Sequence, residues 1–77
     1  MEYYQRVKDL REDNDLKQET IAKILGTEQS YYSKYERGIH PMTANQIKIL
    51  AEFYNVSADY ILGLTNEYKE LRNRKKK

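Results

Sequence analysis

Between just four punctuating residues, Gly26, Gly38, Pro41 and Gly63, the apolar side chains of this chain recur at intervals of three and four. That is the period of a helix with one buried face, and no stretch shows the strict alternation of a half-buried strand. Tyr3, Val7 and Leu10 predict a first helix, ending near the polar run Glu12-Asp13-Asn14-Asp15. Ile21, Ala22 and Leu25 predict a short second helix, stopped by Gly26 in the left-handed conformation that glycine adopts at a helix C-terminus. A third is expected from about Glu28 to Arg37, with Tyr32 and Tyr35 inward and Gly38 closing it. Thr43 suits the N-cap of a fourth helix carrying Ile47, Leu50, Ala51 and Tyr54, and Ser57 that of a fifth running through Tyr60, Ile61 and Leu62. Leu64, Tyr68 and Leu71 stand at helical spacing, so Thr65 or Asn66 is expected to open a short sixth helix. The expected class is all-α, with four or five packed helices plus the C-terminal one.

At 77 residues the chain has room for one domain, which buries only about 60% of its unfolded surface. It has no cysteine, which excludes a disulfide framework and a thiolate zinc site. No apolar run approaches the roughly 20 residues needed to span a bilayer, and the first residues do not read as a leader peptide. A soluble, single-domain, cytoplasmic protein is expected. Its charge is uneven. Five of the 14 basic residues (Arg72, Arg74, Lys75, Lys76 and Lys77) lie in the last six positions, leaving nine basic against twelve acidic side chains before them. Bulk charge will not draw a polyanion to residues 1–71, so any such partner must be met by locally placed cations.

The segment 18–37 places two short helices around a glycine turn, the helix-turn-helix pattern. Ile21 and Leu25 face inward, Ala22 is small where the helices cross, and Gly26 supplies the positive φ of the turn. At about 100° per residue, Gln29, Ser33, Arg37, Ser30 and Lys34 fall within an arc of roughly 140°, opposite Tyr31, Tyr32 and Tyr35. That stripe carries an amide, two hydroxyls, an ammonium and a guanidinium, and no carboxylate. Glutamine can pair with adenine through two hydrogen bonds, lysine and arginine can reach guanine or phosphate, and serine can serve either. The competing account is an ordinary solvated face; its position on the second helix of the motif favours base edges in a major groove.

Gln18-x3-Ala22-x2-Leu25-Gly26, Gln29-x6-Glu36-Arg37-Gly38, Pro41, Leu50-Ala51 and Val56-Ser57-x-Asp59-Tyr60-Ile61-Leu62-Gly63 together resemble the Cro/phage-repressor (XRE) family of DNA-binding domains, over about residues 5–63. The resemblance implies a compact five-helix bundle, a homodimer on a pseudo-palindromic double-stranded operator, and transcriptional regulation, usually repression. It implies that Gln29, Ser30, Ser33 and Lys34 read bases and that Gln18 contacts a phosphate. Lys17, Arg11, Tyr31, Arg37 and Thr43 are the further candidate phosphate contacts. Arg11 and Glu36 match a partly buried salt bridge between the first helix and the end of the third. Three positions depart from the pattern. Lys17 replaces the Ser or Thr that often caps helix 2, Glu28 stands where Ser, Thr or Asp is common, and His40 replaces a loop Arg or Lys.

His40 is the only histidine and is read as a loop residue, since a zinc site would need several carboxylates beside it. Asp13 and Asp15 flank Asn14 like the start of a calcium loop, but the glycine and terminal glutamate such a loop requires are missing. No nucleophile–base set and no phosphate-cradling glycine loop is present, so neither enzyme activity, cofactor nor metal is expected. Tyr32, Tyr35, Tyr54 and Tyr60 are expected in the core with their hydroxyls reaching solvent or backbone. The expected organisation is a DNA-binding domain over 1–64 followed by an amphipathic segment and basic tail over 65–77. The alternative function is a protein-interaction module, an antitoxin or anti-repressor, using Tyr54, Tyr68 and Leu71 as contacts.

Overall fold

The computed structural model describes residues 2–68. Among them are five α-helices and no β-sheet: α1 Tyr3–Asp13, α2 Gln18–Leu25, α3 Gln29–Glu36, α4 Ala44–Tyr54 and α5 Ala58–Leu62. The first five expected helices are present, with ends shifted by a residue or so; Glu28 and Arg37 are the flanking caps of α3. The inward faces converge on one core, in which Val7, Ile21, Tyr32, Leu50, Val56 and Ile61 are almost wholly removed from water. α3 packs against both α1 and α2, and α5 against both α1 and α4, so α1 ties the two halves together.

The helix ends follow from particular residues. Gly26 closes α2 at φ 74°, and the Thr27 N–H reaches back to the Ala22 carbonyl at 2.9 Å. Thr43 caps α4 reciprocally: its hydroxyl accepts from the Gln46 N–H at 3.1 Å, while the Gln46 side chain accepts from the Thr43 N–H at 2.9 Å. This is the Ser/Thr-x-x-Glu/Gln capping box. α4 ends at Asn55, buried at φ 60°, the left-handed conformation that asparagine tolerates best after glycine. Ser57 caps α5 by accepting from the Tyr60 N–H.

Two expectations are corrected. Residues 64–68 do not begin a helix, because Gly63 turns left-handed at φ 82° and the Leu64 N–H folds back to the Asp59 carbonyl. The chain instead lies against α1, where Arg6 donates to the Asn66 Oδ1 at 3.0 Å and stacks its guanidinium 4.0 Å from the centre of the Tyr60 ring. The remainder of the expected sixth helix, with Leu71 and the basic tail, lies outside the described residues. The tyrosine hydroxyls also differ: those of Tyr32 and Tyr54 are buried without a hydrogen-bond partner, rather than reaching solvent or backbone. The fold brings both rings in beside a buried carboxylate, described next.

Candidate nucleic-acid interface

α3 carries a single acidic side chain, Glu36, and turns it inward. Its carboxylate, 2% exposed, accepts from Arg11 Nε at 2.6 Å and Arg11 Nη2 at 3.1 Å, a two-point pairing. Gln18 Nε2 donates to the same carboxylate at 3.0 Å. Burial alone would raise the Glu36 pKa; hydrogen bonds from Arg11 and Gln18, the nearby Tyr32 hydroxyl and the Arg11 charge outweigh it and hold the group below the usual carboxylate range. The Tyr32 hydroxyl approaches closely enough to favour the charged form, though outside the geometry of a full hydrogen bond. In return, burial and the Glu36 charge push both the Tyr32 and Tyr54 phenols well above their ordinary value. Arg11 is held charged by its bond to Glu36, and its Nη1 donates to the Leu16 carbonyl at 2.9 Å.

This buried node reaches the surface through two amides. Gln18, at the first turn of α2, accepts from Gln29 Nε2 at 3.3 Å while donating to Glu36. Gln29, the first residue of α3, is thereby tied to Gln18 through one N–H of its amide. Beside it on the outward side of α3 stand Ser30 and Arg37, exposed, and Ser33 and Lys34, half-exposed. The helical angles therefore bring together the stripe expected from the sequence. Lys17 is exposed at the start of α2, and Thr43 is exposed at the start of α4. Neither Lys17 nor Glu28 caps its helix through its side chain.

Arg11 stands apart from the stripe. Its side chain is 13% exposed and each guanidinium nitrogen has a protein acceptor, so it ties α1 to α3. Tyr31, 43% exposed, packs edge-on against Tyr35 and stacks face-to-face with His40, ring centres 4.8 Å apart. The loop places His40 there because the Ile39 and His40 N–H groups both close onto the Lys34 carbonyl at the end of α3. Sequence reasoning missed this pair, and only the single aromatic-compatible loop residue two positions after Gly38 hinted at it. Behind it, Gln46 Nε2 donates to the Tyr35 hydroxyl at 3.0 Å, joining the α4 cap to α3.

A helix-turn-helix family model matches residues 7–61, more than two thirds of the chain. This chain belongs to the Cro/phage-repressor (XRE) helix-turn-helix family. Among curated relatives, the XRE domain is similar to the uncharacterized HTH-type transcriptional regulator YobD of Bacillus subtilis, 40% identical over 84% of this chain and 58% of that protein. It is also similar to the cryptic phage CTXphi transcriptional repressor RstR of Vibrio cholerae, 35% identical over 66% of this chain and 46% of that protein. The antitoxin PezA of Streptococcus pneumoniae is 35% identical over 74% of this chain and 36% of its own length. The XRE domain thus spans about half the length of the curated relatives it matches. No solved structure matches it significantly. Among the described residues, no helix is long and apolar enough to cross a membrane.

Proposed function

We propose that this chain is a sequence-specific regulator of transcription, a repressor that binds a pseudo-palindromic double-stranded operator as a homodimer, with α3 of each copy in the major groove. The observation that carries this reading is the held amide of Gln29. It leads a helix face free of carboxylates and is fixed through Gln18 to a buried ion pair. A pre-positioned amide loses little freedom on pairing with a base, which is what sequence reading requires. In this assignment Gln29, Ser30, Ser33 and Lys34 read base edges. Lys17, Tyr31, Arg37, Thr43 and the remaining N–H of Gln18 meet phosphates, and Arg11 acts through Glu36. Residues 1–64 form the DNA-binding unit, working in the cytoplasm without cofactor, metal or catalysis. The similarity to RstR, whose name is that of a phage repressor, supports repression.

Selection from a random duplex library at low and near-physiological salt tests this. A two-fold symmetric motif, its halves centred about 10 base pairs apart and surviving the higher salt, is the expected result. Binding without enrichment would refute it.

The similarity to PezA supports a second reading, an antitoxin-type module that holds a protein partner. Of the contacts expected for that role, Tyr54 is corrected: it is buried against the core and cannot meet a partner, whereas Tyr68 is 60% exposed and Leu71 lies outside the described residues. A co-transcribed small toxin gene would favour this reading, a divergent promoter the first.

A further inference from the structure

The loop that leaves α3 is tied down at both ends before it reaches α4. At its start Tyr4 of α1 packs on Gly38 so closely that a Cβ there would lie 2.7 Å from the ring. At its end the Met42 N–H donates to the Tyr3 hydroxyl at 3.0 Å. Between these ties the Ile39 and His40 N–H groups both close onto the Lys34 carbonyl. The half-exposed His40 ring lies flat on Tyr31, centres 4.8 Å apart and planes 19° apart. An imidazole on a surface loop ordinarily turns freely. This one has a fastened backbone and an aromatic platform, so it has little freedom left to lose on meeting a ligand.

Its surroundings point to what that ligand is. Tyr31 beneath it, Arg37 three residues before it and Thr43 three residues after it are phosphate contacts in the assignment above. The titratable side chains on the elements around it are the Tyr3 and Tyr4 phenols of α1 and, on α3, Tyr31, Lys34 and Tyr35, with Glu28 and Arg37 at the helix ends. α4 begins with Thr43 and Gln46, which do not titrate. Glu36, the carboxylate within α3, is turned inward onto Arg11, and among the described residues no carboxylate pairs with His40. Histidine is the side chain that ordinarily changes charge between pH 5 and 8, and its cationic form donates from both ring nitrogens.

We propose that His40, braced on Tyr31, takes a backbone phosphate of DNA in its imidazolium form, so that each copy gains one contact in mild acid and loses it above neutral pH. The neutral ring still donates one hydrogen bond, but only the cation displaces a counterion from the duplex. The inference rests on the reading above that α3 enters the major groove, and it makes the hold on DNA a function of pH.

The test is fluorescence anisotropy of the full chain with two labelled duplexes, one carrying the selected motif and one of mixed sequence. Each is titrated at pH 6 and pH 8 over a range of salt, and each variant's fold is checked by its circular dichroism melt at both pH values. With two copies bound, the slope of log K against log salt should steepen by about 1.8 from pH 8 to pH 6, about 0.9 for each copy. Affinity at moderate salt should rise about tenfold, a factor of about three for each solvated ion pair. His40→Gln keeps a hydrogen-bonding side chain without the charge and should show the shallow slope at both pH values. His40→Lys should show the steep slope at both. A wild-type slope that ignores pH, or a steepening that survives in His40→Gln, would overturn the inference. A selected motif bound with a pH-independent slope would sink the His40 contact and leave the DNA reading standing. A His40-dependent steepening on the mixed-sequence duplex, with no motif enriched, would do the reverse. Failure to bind either duplex would overturn both.

Discussion

Replacing Arg11 with methionine isolates the ion pair that organises the DNA-facing half of the domain. The Glu36 carboxylate is 2% exposed and draws two of its hydrogen bonds from Arg11. Methionine keeps much of the stem's packing and deletes the charge, leaving a buried carboxylate with only Gln18 and the nearby Tyr32 hydroxyl. Breaking such a pair on one side costs about 3–5 kcal/mol. A chain of this size has a total stability of only about 4–12 kcal/mol, so the variant should be marginally folded at pH 7. With a urea slope near 1 kcal/mol per molar, the midpoint should fall by about 3 M or more. The pH trend identifies the cause. In the wild type the Glu36 pKa is held below 4.5, so its contribution is present above that pH and is lost as pH falls through the folded-state value. In Arg11→Met, burial is largely unopposed and the carboxyl prefers its proton, so the penalty is greatest at neutral pH and shrinks on acidification. The two stability curves, from urea melts followed by circular dichroism between pH 7 and 4, should converge toward acid. Arg11→Met combined with Glu36→Gln should recover part of the loss at pH 7. A cost under about 1 kcal/mol, or a gap that does not change with pH, would refute a buried, charged Glu36.

Gln29→Ala should relax preference at one base position by about 1–3 kcal/mol in a selection experiment; an unchanged motif would remove Gln29 from the reading set. Gly26 has φ 74° and open space where a Cβ would stand, so Gly26→Ala and Gly26→Val should both be destabilised by the backbone, by about 1–2 kcal/mol. A valine variant melting with the wild type would contradict the turn geometry. Because the Tyr32 and Tyr54 phenols titrate far later folded than unfolded, stability should fall above pH 10 by about 1.4 kcal/mol per pH unit for each of them. Tyr32→Phe and Tyr54→Phe should each flatten that alkaline limb, and an equally steep fall in the double variant would show that other groups cause it.

The five helices were legible because each keeps an apolar spacing of three and four and ends at glycine, asparagine or a cap. The outward stripe of α3 was legible for the same reason: helical angle alone fixes which side chains share a face. What escaped the sequence depends on contacts between distant residues or on volume. Arg6 is 6% exposed because its guanidinium lies over Tyr60, 54 positions later, and nothing in α1's own pattern separates it from a surface cation. Tyr32 and Tyr54 were recognisable as core by period, but their hydroxyls face Glu36 only once α3 and α4 are both in place. A groove between α4 and α5, lined in part by Ala44, Ala51 and Ala58, was hidden for a different reason. Alanine counts as apolar in a periodicity argument, so Ala44, Ala51 and Ala58 read as ordinary positions, whereas in three dimensions their shortness leaves the hollow.

Turning Glu36 inward also decides how a domain with excess acidic charge could meet DNA. Its negative charge is cancelled at 2.6 Å by Arg11, so the outward face of α3 is left to Lys34 and, at its end, Arg37, while Lys17 stands exposed at the start of α2. With Lys34 on base edges, Lys17 and Arg37 are the two phosphate-neutralising cations per copy, four in a dimer, and each phosphate neutralised lowers the slope of log K against log salt by about 0.9, giving a slope of about −3.6. A measured slope of about −3.6, unchanged when residues 72–77 are deleted, would place the whole ionic contact on the helix-turn-helix. The tail carries five further cations per copy, so a much steeper slope that returns to about −3.6 on deletion would show the tail on DNA. A slope close to zero at the selected operator would refute the phosphate assignments of Lys17 and Arg37, because a base-reading helix cannot lie in the major groove without neutralising the backbone that flanks it.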